Sequence, residues 1–415
     1  MTLWWSHRAA RAVLGHLIAA AVLLPTGSGG VVCGQSLPVG PLVFADGAVT
    51  VGADASVSVG PVDPGFYNYT DYDRSTLRLA QIDVLTSVRA GRRLTVLGQV
   101  RSQNVGSVDI FALYLRVRPW VNRRIDVQVG RVPPTFGAFP RRAYGRDNPL
   151  IGLPLAFQYL TSLRSDAVPA NADQLLRMRG RGWLSSFSIG NSVAAHGMPL
   201  ASAFRWENGV QLHAENEWFE GTASLSGGSV SSPMLRLTGG PRQVVGRVAA
   251  RPVAGLIVGV SAARGSYLTD TVLDALPQGI GRADLSQSLW GADLEYSRGY
   301  YQLRAELVHS RWRLPVVQSP MIDRPLSSLG AMVEVRYAIR PGLHAAARVD
   351  RLGFSDIEGS GGLASWEAPV TRIEVGGGYL LQRNLQLKIA VQHNRRDTDR
   401  SARFTAGAAQ LMFWF

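Results

Sequence analysis

Cysteine, lysine and long apolar runs are all scarce in this sequence of 415 residues. The one cysteine is Cys33. A single thiol excludes a disulfide framework and any metal site built from several thiolates. The one lysine is Lys388, so the formal net charge of +13 rests almost wholly on arginine. A GC-rich genome and a functional demand account for that skew equally well. The arginines are scattered through strand-like segments without a basic run or a nucleic-acid motif, so no nucleic acid is expected as a partner. Beyond the N-terminus, no window reaches the roughly 18 uninterrupted apolar residues of a spanning helix. A mature protein that sits in a membrane must then do so as a β-barrel.

Sites for chemistry are scarce too. Of seven histidines, His7 and His16 fall in the N-terminal segment, and none forms a metal-ligand pair at short spacing. Ser310 follows His309, but neighbours on a strand face opposite sides. Ser192 and His196 lie in a turn-like stretch. Gly376, Gly377 and Gly378 sit inside a strand pattern, where glycine marks curvature rather than a phosphate loop. Neither an enzyme nor a cofactor is expected.

Residues 1–34 read as a cleaved secretory signal. Arg8 and Arg11 form the positive n-region, Ala12 to Leu24 the apolar h-region, and Pro25 with Gly27 to Gly30 break it. Val32 and Gly34 occupy the −3 and −1 positions of a cut before Gln35. A lipoprotein cut before Cys33 is the rival, with Val32 an unfavourable −1 residue. Residues 35–46 form a short periplasmic segment, and 47–415 the body.

That body alternates with period two. Phe111, Leu113, Leu115 and Val117 share one face, while Ala112, Tyr114, Arg116 and Arg118 share the other. Val333, Val335, Tyr337 and Ile339 oppose Glu334, Arg336, Ala338 and Arg340. Leu385, Leu387, Ile389 and Val391 oppose Gln386, Lys388, Gln392 and Asn394. Lipid-facing and lumen-facing residues alternate in this way. Short turns (90–93, 119–123, 252–255, 298–300, 340–342, 382–384) alternate with long loops (60–73, 135–179, 227–241, 265–286, 313–326, 353–369). That binary rhythm suits an outer-membrane barrel better than a soluble sandwich. The expected fold is an all-β, antiparallel up-and-down transmembrane barrel of 16–18 strands. The count turns on 180–226, read as four strands (180–190, 200–206, 210–215, 217–226) with Glu207-Asn208-Gly209 as a tight turn. If two of these are false, sixteen remain.

The chain ends Gln410-Leu411-Met412-Phe413-Trp414-Phe415, with Leu411, Phe413 and Phe415 on one face. This resembles the C-terminal signature of bacterial outer-membrane proteins, and the resemblance implies recognition by the barrel-assembly machinery. The run Val129-Gly130-Arg131-Val132-Pro133-Pro134-Thr135-Phe136-Gly137 is similar to a Gly-Arg/Lys…Pro-Phe-Gly segment of porins, notably the phosphate-selective O/P type. Thr135 interrupts that motif, and lysine clusters typical of the phosphate-selective members are missing. A porin-like channel is therefore what the resemblance implies, and phosphate specificity stays open. It also implies that a long loop folds inward. The 135–179 loop would then bring Arg141, Arg142, Tyr144, Arg146, Asp147 and Arg164 to a constriction.

The inward faces assign Arg116, Arg118, Asp126, Arg247, Arg304, Glu306, Glu334, Arg336, Arg340, Arg348, Arg372, Glu374 and Lys388 to the pore lining. A lipid-facing charge at mid-membrane costs roughly 2–4 kcal/mol for Arg or Lys, so the lumen is the cheaper side. The expectation is passive diffusion of small hydrophilic solutes with a mild anion preference. Outer-membrane lipid, lipopolysaccharide and a homotrimer are its expected surroundings. The alternative is a plugged or structural barrel serving as a binding or assembly partner.

Overall fold

Alternating strands with one apolar and one polar face can satisfy every backbone group in lipid only by closing into a ring. The computed structural model describes residues 40–70, 74–104, 106, 108–203, 206–233, 235, 243–277, 285–398 and 402–415. The expected signal segment lies outside them. Among the described residues, sixteen antiparallel strands close on themselves.

In chain order the first eight are β1 (Val49–Val59), β2 (Ala80–Ala90), β3 (Leu94–Gln103), β4 (Val108–Val117), β5 (Arg124–Val132), β6 (Glu207–Glu215), β7 (Phe219–Ser226) and β8 (Gln243–Val253). There follow β9 (Leu256–Ser266), β10 (Ser286–Arg298), β11 (Tyr301–Trp312), β12 (Leu326–Arg340), β13 (Leu343–Phe354), β14 (Val370–Gln382), β15 (Leu385–Arg396) and β16 (Arg403–Trp414). Each strand pairs with its successor. The ring closes where Asp54 of β1 faces Trp414 of β16 and Val59 faces Ala409. Beside that seam, Leu42–Phe44 adds a short strand on Val49–Val51.

The alternation survives in three dimensions. Along β13, buried residues alternate strictly with exposed ones from His344 to Leu352. Val258, Val260, Leu307, Val333, Val335, Ile373, Val375, Ile389 and Val391 form an outward apolar belt. Trp120, Trp218, Phe219, Tyr300, Tyr301 and Tyr337 are exposed near the short-turn end, where an interfacial girdle belongs. The C-terminal signature forms the seam itself: Leu411 faces Val57 and Phe413 faces Ala55. Phe415 exchanges backbone hydrogen bonds of 3.0 and 3.1 Å with Ala53.

Three sequence expectations are corrected here. The described residues of 180–206 supply no wall strand, so the lower count of sixteen holds. Among its described residues the pairings are a two-residue ladder, Ala167–Val168 with Ile189–Gly190, and a single bridge between Ser185 and Ala195. Glu207-Asn208-Gly209 is no turn but the start of β6, with Gly209 between Gly130 and Ser226. The real turn follows, where Asn216 Oδ1 accepts from the amides of Trp218 (2.8 Å) and Phe219 (2.7 Å). Second, Phe111 faces inward. A bulge pairs Val100 with Ile110 but Gln99 with Ala112, leaving Phe111 as the extra residue. It is 4% exposed, under the Arg101 guanidinium. Third, Arg340 leaves the lumen. A register shift after Ala338 turns it outward over the ring of Tyr379, an outer-face residue at the short-turn rim.

Candidate functional site: the lumen and its loop

Seventy-odd residues separate β5 from β6, far more than a passive connection requires. This segment, 133–206, begins with the porin-like run. Gln211 Nε2 donates to Pro133 O (2.9 Å) and Thr135 Oγ1 (2.8 Å), which donates in turn to Ser224 (2.9 Å). Gly137 has φ +77°, and a Cβ there would lie 2.5 Å from Glu306 Oε1. Only glycine lets the backbone pass this close to the wall.

From there the chain crosses the lumen and meets strands around the ring. The amides of Ala138 (2.9 Å) and Phe139 (3.1 Å) donate to Glu306 of β11. Arg141 pairs with Glu220 of β7, and Arg142 with Glu295 of β10. Tyr144 donates to Gln99 of β3 at 2.7 Å. Lys388 of β15 donates to Gly145 O and Asn148 O, each at 2.5 Å. His344 of β13 lies 3.1 Å from Pro149 O. The Gly152 amide donates to Glu374 of β14 at 2.8 Å, and Arg372 donates to Leu153 O at 2.8 Å.

Towards the long-loop end the same segment builds an apolar core inside the barrel. Phe139, Leu155, Phe157, Leu163, Val168 and Leu175 are buried against Trp312, Leu326, Leu352 and Val370. The helices Leu155–Gln158 and Ala172–Arg177 lie in it, the second capped by Asn171 Oδ1 on the Gln174 amide (3.0 Å). Glu367, from the 355–369 loop, accepts from the amides of Ser162 (2.7 Å), Gly180 (2.5 Å) and Ala368 (2.7 Å). Burial pushes its carboxyl above the ordinary range against the pull of those amides. Burial likewise raises the Tyr144 phenol and lowers the Arg142 guanidinium.

The residues expected to line a pore therefore divide into groups. Glu306, Arg372, Glu374 and Lys388 hold loop backbone. Arg348 sits among Glu334 (3.2 Å), Asp350 (3.2 Å) and Glu374 (2.7 Å). Arg118 pairs with Asp126 (2.8 Å), Arg247 with Asp293 (2.7 Å), and Arg304 with Glu334 (3.2 Å). Arg116 is half-buried on the inner face of β4. Arg164 is not at a constriction. It is 1% exposed inside the loop, where it binds Asp166, Ser185 O (2.9 Å) and Val193 O (2.7 Å). Although burial works the other way, Arg164 holds the Asp166 carboxyl below its usual range.

Towards the short-turn end lies an open vestibule of about 580 Å³. Arg141, Arg142, Arg146, Arg304, Arg336 and Lys388 line it, with Asp147 as the one lining carboxylate. Sequence reading set Gln386 on the inner face but singled out neither His344 nor Gln302, and these three complete the wall. Their inward register is visible in the alternation, but nothing in the sequence sets them at the loop's tip. Nearer the long loops is a smaller cavity of about 60 Å³ beside Phe111, Tyr144 and Gly145.

This geometry has counterparts among solved structures. OmpT, an outer-membrane protein of Vibrio cholerae, superposes with a TM-score of 0.52 at 12% identity, covering 90% of this chain and 99% of that one. The anion-selective porin from Comamonas acidovorans gives 0.52 at 11% identity, covering 88% and 99%. The outer-membrane channel DcaP of Acinetobacter baumannii gives 0.51 at 12% identity, covering 90% and 99%. The fold is that of an outer-membrane barrel. No protein-family model matches the sequence, and neither does any curated protein. Among the described residues no helix is long and apolar enough to cross a membrane, and no cluster of His, Cys, Asp or Glu is arranged to hold a metal ion.

Proposed function

We propose that this protein is a non-enzymatic channel of the bacterial outer membrane, passing small hydrophilic solutes by diffusion with a preference for anions. The vestibule carries this reading: six basic side chains against one lining carboxylate. Glu220, Glu295 and Glu334 stand behind Arg141, Arg142 and Arg304, Arg146 pairs with Asp147 (3.8 Å) and Lys388 is bound to loop carbonyls, so part of that charge is offset. No ion pair is found for Arg336 among the described residues, and it faces the cavity. Basic rings attract anions and repel cations. The segment 133–152 supplies the constriction.

The test is the reversal potential of purified protein in a planar bilayer under a chloride gradient, repeated with phosphate. Anion preference that falls in Arg336→Ala and, to a lesser degree, in Arg116→Ala supports the reading. Cation selectivity sinks it. The apolar core of the loop favours a second reading, a plugged barrel acting as a binding or assembly partner, and no conductance under any condition would select it. Recognition of Leu411, Phe413 and Phe415 by the assembly machinery and association as a homotrimer among lipopolysaccharide belong to the same proposal. The trimer is checked by the mass of the detergent-extracted protein.

A further inference from the structure

The two cavities share one partition. Tyr144, Gly145 and Asn148 face the smaller cavity, whereas Arg146, Asp147, Asn148 and Pro149 face the vestibule. One short turn of chain, Gly145–Asp147, thus lies between the long-loop side of the lumen and the short-turn side. Its own hydrogen bonds are few: the amides of Asp147 (3.0 Å) and Asn148 (3.1 Å) both reach back to Tyr144 O. The turn is too short to hold itself, because a single 3₁₀ turn has poor bond geometry and no cooperative support.

The lysine supplies what the turn lacks. Lys388 is 1% exposed, and its ammonium bonds the carbonyls at both ends of the turn, Gly145 O and Asn148 O. Hydrogen bonds from a charged donor are roughly twice as strong as neutral ones. The other contacts each hold one end only: Tyr144 donates to Gln99 (2.7 Å), and Asn148 Nδ2 donates to Gly152 O (2.8 Å). Arg348 reaches Asn148 Oδ1 at 3.4 Å, and Arg304 reaches Asp147 O at 3.5 Å. The chain otherwise uses arginine for its cations. A flexible stem ending in a compact ammonium with three donors can straddle two carbonyls.

We infer that Lys388 is the latch of a gate: it holds the 145–148 turn across the lumen between the two cavities, and its release joins them. This rests on the channel reading above. Charge and latch then predict opposite results. Loss of one vestibule cation alone lowers anion conductance, whereas loss of the latch raises conductance for anions and cations together.

The experiment compares wild type, Lys388→Met and Lys388→Arg, each first shown to be folded by heat-modifiable gel mobility. Lys388→Gln replaces Lys388→Met if the latter does not assemble. Hydrogen exchange at the amides of Asp147 and Asn148 and single-channel conductance are measured on all. Exchange at least tenfold faster in Lys388→Met, with conductance raised twofold or more and both returned towards wild type in Lys388→Arg, is the expected result. Unchanged exchange overturns the latch. Faster exchange with unchanged or lower conductance in a conducting wild type overturns the gate. Faster exchange with no conductance in any form supports the latch and overturns the channel reading instead.

Discussion

Arg348 offers a severe test of how the lumen is held together. Its guanidinium contacts three carboxylates from three strands: Glu334 at 3.2 Å, Asp350 at 3.2 Å and Glu374 at 2.7 Å, with side-chain exposures of 0–4% throughout. Arg348→Ala removes the shared cation and leaves all three carboxylates. Removing one partner of a buried pair costs about 3–5 kcal/mol, because the remaining charge is uncompensated. Arg304 still holds Glu334 (3.2 Å), and Gly152 still donates to Glu374 (2.8 Å), so the low end of that range applies. About 3 kcal/mol is roughly two factors of ten in the unfolding equilibrium. Urea titration in detergent micelles, followed by tryptophan fluorescence, reads that loss. The double variant Arg348→Met/Glu374→Gln should recover part of it, since neutralising a partner relieves the stranded charge. A loss below 1 kcal/mol in Arg348→Ala would refute the reasoning. Water would then reach these groups, and the lumen would be wetter than its packing implies.

Other predictions follow from placement. Arg340→Ala should leave ion selectivity unchanged in the bilayer assay that responds to Arg336→Ala, because Arg340 faces outward over Tyr379. Deleting Phe415 should slow assembly and lower the amount of heat-modifiable protein in the membrane, since it removes both Ala53 backbone bonds at the seam. Glu367 binds its proton more tightly in the docked loop than it would in water. Its contribution to docking is therefore full below the ordinary glutamate value and is lost as pH rises through the docked one. Exchange protection of the Ser162 and Gly180 amides, corrected for intrinsic rate, should fall from acid to neutral pH. Glu367→Gln should flatten that profile.

The barrel was legible because alternation encodes both its faces at once. Val333 and Glu334 announce opposite solvents without any knowledge of neighbours. Rules of this kind fail where one residue breaks the count. Nothing in the composition of 107–118 marks the bulge that turns Phe111 inward, nor in 337–343 the shift that turns Arg340 outward. The long loop was seen but cut short, because stretches such as 180–190 and 200–206 mix apolar and polar residues as weak strands do. Their packing is tertiary: Gly182 lies against the backbone of Leu160 and Thr161, and the Ala201 amide donates to Ala156 O (3.2 Å), approaches no local pattern records. Site residues were legible in direction only. The period of two says that Glu306 and Lys388 face inward but not what meets them there.

What meets them is loop backbone. Irregular chain at membrane depth must have its amides and carbonyls satisfied by protein. The wall answers group by group. Carboxylates of Glu306 and Glu374 accept from amides, while Lys388 and Arg372 donate to carbonyls. Each of these charges has the sign that its backbone partner requires, and each is engaged by the loop. Counting inward charges therefore overstates the field in the lumen. On the channel reading, the excess that a solute would meet is concentrated at the vestibule, on Arg336 and on the loop's exposed Arg146, which Asp147 offsets in part at 3.8 Å. On the channel reading, ion preference would be set less by how many basic residues face inward than by which of them the loop leaves uncovered.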